Sequence, residues 1–544
     1  MMQSPAGCAF VQVLNSHYIP PEPGGGCFVM IVSNPNETAV ALRLRRGATD
    51  VDAAPFARLV AIGGTATYQP LPSGVLPARA TAIVSTVHLP NGPNLPDPDD
   101  YSLDCPGPAF LEAPPSSGLM GTVGERSRGI ELLADAPVLV TSKHMFQSEV
   151  AHARNGASLS AWPVHQLPPV HLWDETTVET GRFKPGSPGH YENPDISTGD
   201  TTHWTLHGYW LHGRTSVVAS APDTTVSFEE LDGSVTTLTL DRGEFFTHLT
   251  EDAFVGKAVS ADRPIALVSS MMAFAPWDYP FGAEPDSGGA VSMSTSRRAW
   301  GWEYVAVAHA DRWPNLHEQP PWRIIGDADG TVLSYEPYRP SGAPEQINRG
   351  ELVIFEAGEP FVVRSQDDAH VFFLGGHMTG GRYALQRGGR YPNEASRGGG
   401  VSTTAVPVAR WAKRYPFFAL LDWPEQSLVV VRHRGGKDVV LDCAGVIGGW
   451  QPAGTNFEYA FVPMTDPNYE PIAYGPSTCR VGPHWIESDE PFHATLWGLS
   501  SVTKRIEFFD DGSVTSWASS AYALPLLGDT LPPVPPGSII GAIR

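Results

Sequence analysis

The chain has 544 residues and a formal net charge of −22, with 58 acidic and 36 basic side chains. Such an acidic surface repels the phosphates of nucleic acids and so excludes nucleic acid as the expected partner. The hydrophobic content of 42% is that of a globular protein. No apolar run approaches the length of about 20 residues that spans a bilayer, so we expect no membrane span.

Short apolar and β-branched runs follow one another along the whole chain, and amphipathic helical periodicity is nearly absent. The 55 Gly and 52 Pro residues cluster between these runs, where they are suited to turns and loops. The pattern therefore predicts an all-β protein.

One motif recurs four times: an acidic or Ser-containing turn, usually a proline, and then an apolar run. It occupies residues 134–140, 261–268, 367–373 and 488–496. Its copies lie about one hundred residues apart, which is the size of a small β domain. We expect each copy to form the last core strand of a repeat, with its proline at the start of the strand, where a missing N–H is tolerated.

A hairpin pattern precedes each copy of the motif, with an apolar strand and then a turn rich in Asn, Asp or Gly. The four hairpins lie at residues 28–42, 216–224, 322–330 and 428–437. Each repeat then has six or seven short strands, about the number in a β-sandwich. We predict a tandem array of about four β-sandwich-like repeats. The alternative is a β-propeller, because each repeat could be split into two blades of four strands.

The motifs divide the chain into four β repeats and a tail. The predicted repeats span residues 1–152, 153–280, 281–395 and 396–525, and a Pro-rich C-terminal tail spans residues 526–544. Long polar loops interrupt the repeats, and loops on a rigid β scaffold are common binding elements.

Six aromatic residues in or beside these loops are candidate binding residues, since flat rings can stack on sugars or anchor a protein partner. They are Trp173, Trp277, Tyr279, Trp313, Trp423 and Trp450. The alternative is that these rings close the ends of the sandwiches.

Histidines and carboxylates form no complete ligand set. The strand at residues 203–212 places two imidazoles on one face but lacks a third ligand, and the four histidines at 144, 152, 165 and 171 are expected to be solvated. The turn at residues 327–330 starts like a calcium loop but lacks the glutamate that completes one. The acidic loop at residues 97–104 is equally incomplete. We therefore predict no metal site and no cofactor.

No motif of a hydrolase or a nucleotide-binding enzyme is present, so we predict a protein that is not an enzyme. Paired carboxylates need only proximity in space, and a glycan-active hydrolase is therefore kept as the third hypothesis.

The five cysteines are scattered, without CxxC pairs, and disulfides are the better interpretation if the chain is extracytoplasmic. Cys443 and Cys479 lie within one repeat and are the candidate pair, with two buried free thiols as the alternative. The pairing of Cys8, Cys27 and Cys105 stays open. Residues 1–7 lack the basic and apolar segments of a signal peptide, so the export route is open too.

Several segments together resemble the bacterial IgGFc-binding protein family, which is related to the N-terminal region of the mucus IgGFc-binding protein. They are residues 7–10, residues 32–35, the recurring Asp-x-Pro strands, residues 441–445, and Cys479 followed by residues 486–492. The resemblance covers nearly the whole chain and implies an exported, adhesive β-rich protein with Cys443 and Cys479 bridged. It offers no catalytic residues.

We therefore expect an extracellular or cell-surface protein that binds a glycan or a protein through loops on its β scaffold. The alternative is a structural subunit that assembles with itself into a fibre or surface layer through unpaired sheet edges.

Overall fold

The computed structural model describes the residues that follow. They are residues 7–14, 26–63, 65–89, 105–112, 124–145, 164–178, 180, 213–229, 234–250, 258–274, 288–294, 296–313, 316–379, 398, 401–421, 423, 425–467, 470–499 and 521–528. Within these ranges the regular structure is β strand with short 3₁₀ turns, which confirms the all-β prediction. None of the described helical segments has the length and hydrophobicity that a membrane crossing requires.

The strands are numbered in chain order. Strands β1 to β11 span Gly7–Gln12, Gly26–Ser33, Leu42–Arg46, Thr49–Asp52, Ala57–Gly63, Thr65–Pro70, Thr81–Leu89, Leu111–Glu112, Arg126–Arg128, Ile130–Met145 and Val164–Gln166. Strands β12 to β18 span Asp174–Val178, Gly213–Ala219, Thr224–Glu229, Val235–Leu240, Glu244–Thr250, Ala258–Phe274 and Gly288–Met293.

The second half of the chain continues the series. Strands β19 to β26 span Glu303–Ala306, Pro321–Gly326, Thr331–Glu336, Gln346–Ile347, Leu352–Glu356, Phe361–Ser365, Phe372–His377 and Ser402–Thr404. Strands β27 to β36 span Ala412–Ala419, Glu425–His433, Val439–Leu441, Gly445–Val446, Gln451–Ala453, Phe457–Thr465, Ile472–Tyr474, Ser477–Cys479, Gly482–Leu499 and Ala521–Pro525. The 3₁₀ turns are Ala54–Phe56, Pro72–Gly74, Val170–Leu172, Arg297–Ala299 and Val408–Arg410.

The strands group into four units, each with two sheets, and all described strand pairs are antiparallel except β7 with β8. Unit 1 contains β1 to β8, β10 and β11, unit 2 contains β9 and β12 to β18, unit 3 contains β19 to β26, and unit 4 contains β27 to β36. In unit 3 the two sheets are separate, in the orders β19-β24-β21-β22 and β23-β20-β25-β26. In the other units one long strand joins them.

The repeated motif lies in the middle of these long strands, β10, β17 and β35, which we call crossing strands. The first half of β10 pairs with β3 at residues 131–134, and the second half pairs with β2 at residues 139–145. Pro137 lies between these two stretches, as Pro264 and Pro491 do in β17 and β35. The expectation that the proline starts a strand is therefore wrong. Its missing N–H is harmless because the strand changes its partner there.

The acidic residue of the motif joins the crossing strand to the hairpin of its own unit. In unit 1 the backbone N–H of Ala41 donates to Asp135 Oδ1 (2.9 Å). In unit 2 the backbone N–H of Thr225 donates in the same way to Asp262 Oδ1 (2.8 Å). The repeated carboxylate thus satisfies a backbone donor where one sheet ends and the other begins.

Each unit is completed by a strand that follows its crossing strand in sequence. These closing strands are β11, β18, β26 and β36. In units 1, 2 and 4 the closing strand pairs with the second half of the crossing strand. In unit 3, which has no crossing strand, β26 pairs with β25. The boundaries predicted at residues 152, 280 and 395 precede β11, β18 and β26, which pair with the unit before. As limits of independently folding domains, these boundaries stay a prediction.

In each unit, the second half of the crossing strand, or β25 in unit 3, belongs to the second sheet. The central strands of this sheet, such as β20, β25 and β28, are buried on both faces, which explains their continuous apolar runs. In β28, Leu428 and Val430 point into the core of unit 4. Val429 and Val431, on the opposite face, pack with Val362 of unit 3. A strand that contacts two units cannot alternate apolar and polar residues.

The same contact recurs between successive units and closes a ring. Phe245 and Val268 of unit 2 pack into the core of unit 1, and Val29 and Ile31 of unit 1 pack into the core of unit 4. Ile325 and Phe373 of unit 3 pack beside Val178 of unit 2. Val429 and Val431 of unit 4 pack beside Val305 and Val362 of unit 3. Ring closure is the feature that the described units share with the predicted alternative, the propeller. The number of sandwich-like repeats stays a prediction.

Candidate functional site

Three of the six candidate aromatic residues are core residues. Trp173, Trp313 and Trp423 are 2–3% exposed and lie in three different hydrophobic clusters. Rings buried to this degree pack against the scaffold and present little surface to a ligand. They do not converge on one surface.

The other candidates differ in position. Trp450 is half-buried beside the core of unit 4, and the guanidinium of Arg432 lies 3.9 Å from the centre of its ring. Its role in binding stays a prediction. Trp277 and Tyr279 lie outside the described residues, as do the histidines at residues 203–212 and the acidic loop at residues 97–104.

Trp173 belongs to a repeated structural position that the sequence analysis missed. Trp173, Trp300 and Trp411 each follow directly after a 3₁₀ turn, and all are buried. The indole N–H of Trp173 donates to the carbonyl of Pro168 (3.1 Å), and that of Trp411 donates to the carbonyl of Val406 (3.2 Å). The spacing of these tryptophans relative to the repeats was the sequence feature that could have revealed this structural role.

Two disulfides are present. Cys443 and Cys479 are bridged (S–S 2.03 Å), which confirms the predicted pair. Cys27 and Cys105 form the second bridge (S–S 2.00 Å), which the sequence left open, and Cys8 is a free, exposed thiol. Cys443 lies beside Asp442 and His484, but its sulfur is in the bridge and offers no thiolate to a metal.

The turn that resembles a calcium loop is occupied by protein donors. The buried Asp327 forms an ion pair with Arg297, and Asp329 Oδ1 accepts a hydrogen bond from the backbone N–H of Arg349 (3.1 Å). Two of the carboxylates that a cation would need therefore already bind the protein.

A polar pocket of about 270 Å³ lies between units 3 and 4, and we call it the His317 pocket. Loops of unit 3 form one side, at residues 307–311, 317–320 and 358–360, and Gln451, Tyr459 and Phe461 on β31 and β32 form the other. Loops form one side of the pocket and strands form the other, and none of its residues was among the candidates.

Two carboxylates hold the imidazole of His317 at the mouth of this pocket. Asp311 Oδ2 lies 3.0 Å from His317 Nδ1, and Glu359 Oε1 lies 3.4 Å from His317 Nε2. The hydrogen bond to Asp311 raises the pKa of His317, although partial burial opposes the shift. All three side chains are 42–62% exposed, so a ligand can reach them.

A buried ion pair supports the loop behind the pocket. Glu318 binds the guanidinium of Arg312 and accepts a hydrogen bond from the Arg312 backbone N–H (3.0 Å), and both side chains are at most 1% exposed. Burial alone would raise the pKa of Glu318, but the charge of Arg312 and hydrogen bonds from Arg312 and Thr379 lower it far more. A second Arg312 N–H donates to the Thr379 carbonyl (2.9 Å). The loop that carries Asp311 and His317 is thereby anchored.

The opposite wall of the pocket is aromatic. The rings of Tyr459 and Phe461 lie edge to face, 5.4 Å apart, and the Tyr459 hydroxyl donates to Gln451 Oε1 (2.9 Å). Burial raises the pKa of Tyr459, and the charges of Glu359 and Asp311 raise it further, so this wall lies within the negative field of the carboxylates. Carboxylates beside aromatic rings suit a cationic group, and their oxygens also suit hydroxyl groups.

Comparison with known proteins gives one match. Neither a curated protein nor a solved structure matches the chain. A family model described as IgGFc binding protein matches residues 197–498, from before β13 through nearly all of β35. Because this match covers more than half of the chain, the protein belongs to the IgGFc-binding protein family.

Proposed function

We propose that this chain is a non-enzymatic, extracellular binding protein that recognises a protein partner by taking up a Lys or Arg side chain of that partner in the His317 pocket. The observation that carries the proposal is that Asp311, Glu359 and the aromatic wall of Tyr459 line one accessible pocket. Both carboxylates face the imidazole of His317, so the partner's cation would take the place of His317 between them. Membership of a family of binding proteins supports a protein partner.

The extracellular assignment rests on the two disulfides. Disulfides persist in oxidising compartments and are rare in the cytosol of most organisms. Both bridges close long segments of chain, 78 and 36 residues apart. Their presence in the native fold supports secretion or surface display.

The first partner to test is immunoglobulin Fc, because the family is named for it. We expect a variant with Asp311→Asn and Glu359→Gln to bind Fc about tenfold or more weakly in surface plasmon resonance, since charged hydrogen bonds contribute about 1.5–3 kcal/mol. Binding to the wild-type chain should weaken with salt. Asp438→Asn, an exposed acid of unit 4, is the matched control and should not change the affinity.

Two results would contradict this proposal. Undiminished binding by the double variant would show that the partner does not use the pocket. If Fc does not bind while a glycan array shows saturable binding that the double variant loses, the pocket recognises sugar hydroxyls instead, and the protein partner is wrong.

Self-assembly is a second candidate function, and exposed valines on three short strands favour it. Val235, Val332 and Val446 are 51–65% exposed and lie on β15, β21 and β30 of three different units. Apolar side chains on such strands can pair with other copies. Sedimentation velocity over a hundredfold concentration range would detect the oligomers, and a strict monomer would rule the idea out.

A further inference from the structure

The four closing strands meet at the centre of the ring and surround a cavity. β11 contacts β18 and β36, and β36 contacts β26. The cavity, which we call the central cavity, has a volume of about 170 Å³ and is lined by residues at or beside all four closing strands. It is separate from the His317 pocket, whose lining residues it does not share.

The charge of the central cavity is opposite to that of the protein. Among its described lining residues there is no Asp or Glu, whereas Arg323 and Arg410 both line it. The chain as a whole carries a net charge of −22. A cationic, acid-free cavity in so acidic a protein is suited to an anion.

Arg410 supplies a charge that no described residue pairs. It follows β26 in the 3₁₀ turn before Trp411, where its backbone N–H donates to the Pro407 carbonyl (2.8 Å). Its guanidinium forms neither a hydrogen bond nor an ion pair with a described residue. Burial lowers its pKa. The nearby Tyr304 hydroxyl is already engaged, because it donates to the Phe372 carbonyl (2.6 Å) and accepts from the Gly301 N–H (2.9 Å).

His165 on β11 adds an unsatisfied polar group. The sequence analysis expected this histidine to be solvated, but it is 8% exposed, and neither ring nitrogen has a hydrogen-bond partner among the described residues. Burial lowers its pKa to about 4, so the ring is neutral at neutral pH and carries one N–H donor. Buried polar groups are rarely left without a partner, which points to a ligand at this position.

The rest of the cavity wall is part apolar and part polar. Met293, Trp300, Phe373, Leu524 and Leu526 contribute apolar side chains from units 2, 3 and 4, and polar side chains line it at residues 166, 180, 296, 304 and 402–404. A dry apolar cavity of about 150 Å³ is large enough to bind benzene. The cavity therefore has room for one ring-sized apolar group.

We propose that the central cavity binds a small anion with an apolar, ring-sized body, such as an aromatic carboxylate, with its acidic group at Arg410 and a hydrogen bond from His165. The site is independent of the His317 pocket. Because it is built where the four units meet, its occupant would link all of them.

Three probes separate charge from shape in isothermal titration calorimetry and thermal unfolding of the full chain. Benzoate has both a ring and a charge, benzyl alcohol has the ring alone, and inorganic phosphate has the charge alone. We expect benzoate to bind saturably and to raise Tm, and the other two to do neither at the same concentration. Absence of benzoate binding, or equal binding of either control, would overturn the proposal.

Substitutions locate the site. Arg410→Gln should weaken benzoate binding about tenfold or more, the loss expected for one charged hydrogen bond. Arg434→Gln, at an exposed arginine of the same unit, should leave it unchanged. If Arg410→Gln prevents folding, His165→Gln should weaken binding in its place. Benzoate affinity that survives in a folded variant of either kind would place the ligand elsewhere and contradict the assignment.

Discussion

At the scale of single residues, a buried ion pair stabilises the loop that forms one side of the His317 pocket. Arg312 and Glu318 lie at 0% and 1% side-chain exposure behind the His317 pocket. Taking two charges out of water is costly, and each is tolerated only because the other is present. The pair therefore fixes the conformation of the loop whose neighbouring residues, Asp311 and His317, line the pocket.

Glu318→Gln tests this role. The substitution leaves the Arg312 guanidinium buried without its counter-charge, and the free energy of unfolding in urea should fall by about 3–5 kcal/mol. Glu359→Gln, at a carboxylate that is 62% exposed, should cost less than about 1 kcal/mol. Similar effects of the two substitutions would show that the buried pair does not anchor the loop.

At the scale of strands and loops, the crossing strands and the disulfides hold each unit together. A crossing strand pairs in both sheets of its sandwich, so neither sheet can detach without breaking it. The Cys443–Cys479 bridge adds a covalent link between the turn after β29 and the hairpin strand β34 in unit 4. Short strands such as these have few hydrogen bonds of their own.

The effect of removing this bridge on the free energy of unfolding can be compared with that of removing the free thiol of Cys8. Closing a loop of 36 residues restricts the unfolded chain and stabilises the fold by about 4 kcal/mol in the chain-entropy account. We expect the Cys443→Ser, Cys479→Ser double variant to lose about that much in urea unfolding. Cys8→Ser, at the free and exposed thiol, should leave stability unchanged. A double variant as stable as the wild type would contradict the expectation.

At the scale of the whole molecule, the ring buries neutral histidines in several units. Burial lowers the pKa of His165 to about 4 and that of His493 to about 3, and it also lowers the pKa of His309 and His377. Each unfolded histidine would titrate near 6.5. Their stabilising contribution is therefore present above pH 6.5 and is lost as pH falls toward the folded pKa values.

The free energy of unfolding should consequently fall between pH 6.5 and pH 4. His165 and His493 should each contribute a loss on the order of 3 kcal/mol over this range. His493→Gln should reduce the slope of stability against pH, whereas the same change at the exposed His433 should not. An unchanged slope in the His493 variant would show that folding does not lower the pKa of this imidazole.

The sequence by itself determined the local structure. Apolar runs and their turns predicted the all-β class, and the Asp-x-Pro motif marked one recurring strand position, because both depend on neighbours in the chain. The Cys443–Cys479 pair was also within reach, since both cysteines lie in one repeat. The position of the proline could not be predicted correctly in this way. From the local sequence, a strand that belongs to two sheets cannot be distinguished from a strand that starts at the proline.

Only the tertiary structure decided which surfaces are shared between units. Trp173 and Trp423 look like loop aromatics in sequence, yet neighbouring strands bury them. Asp311 and Tyr459 line one pocket although about 150 residues separate them, and His165 and Arg410 line one cavity only because four closing strands converge. Such sites arise from packing between distant segments, and no local pattern of residues encodes them.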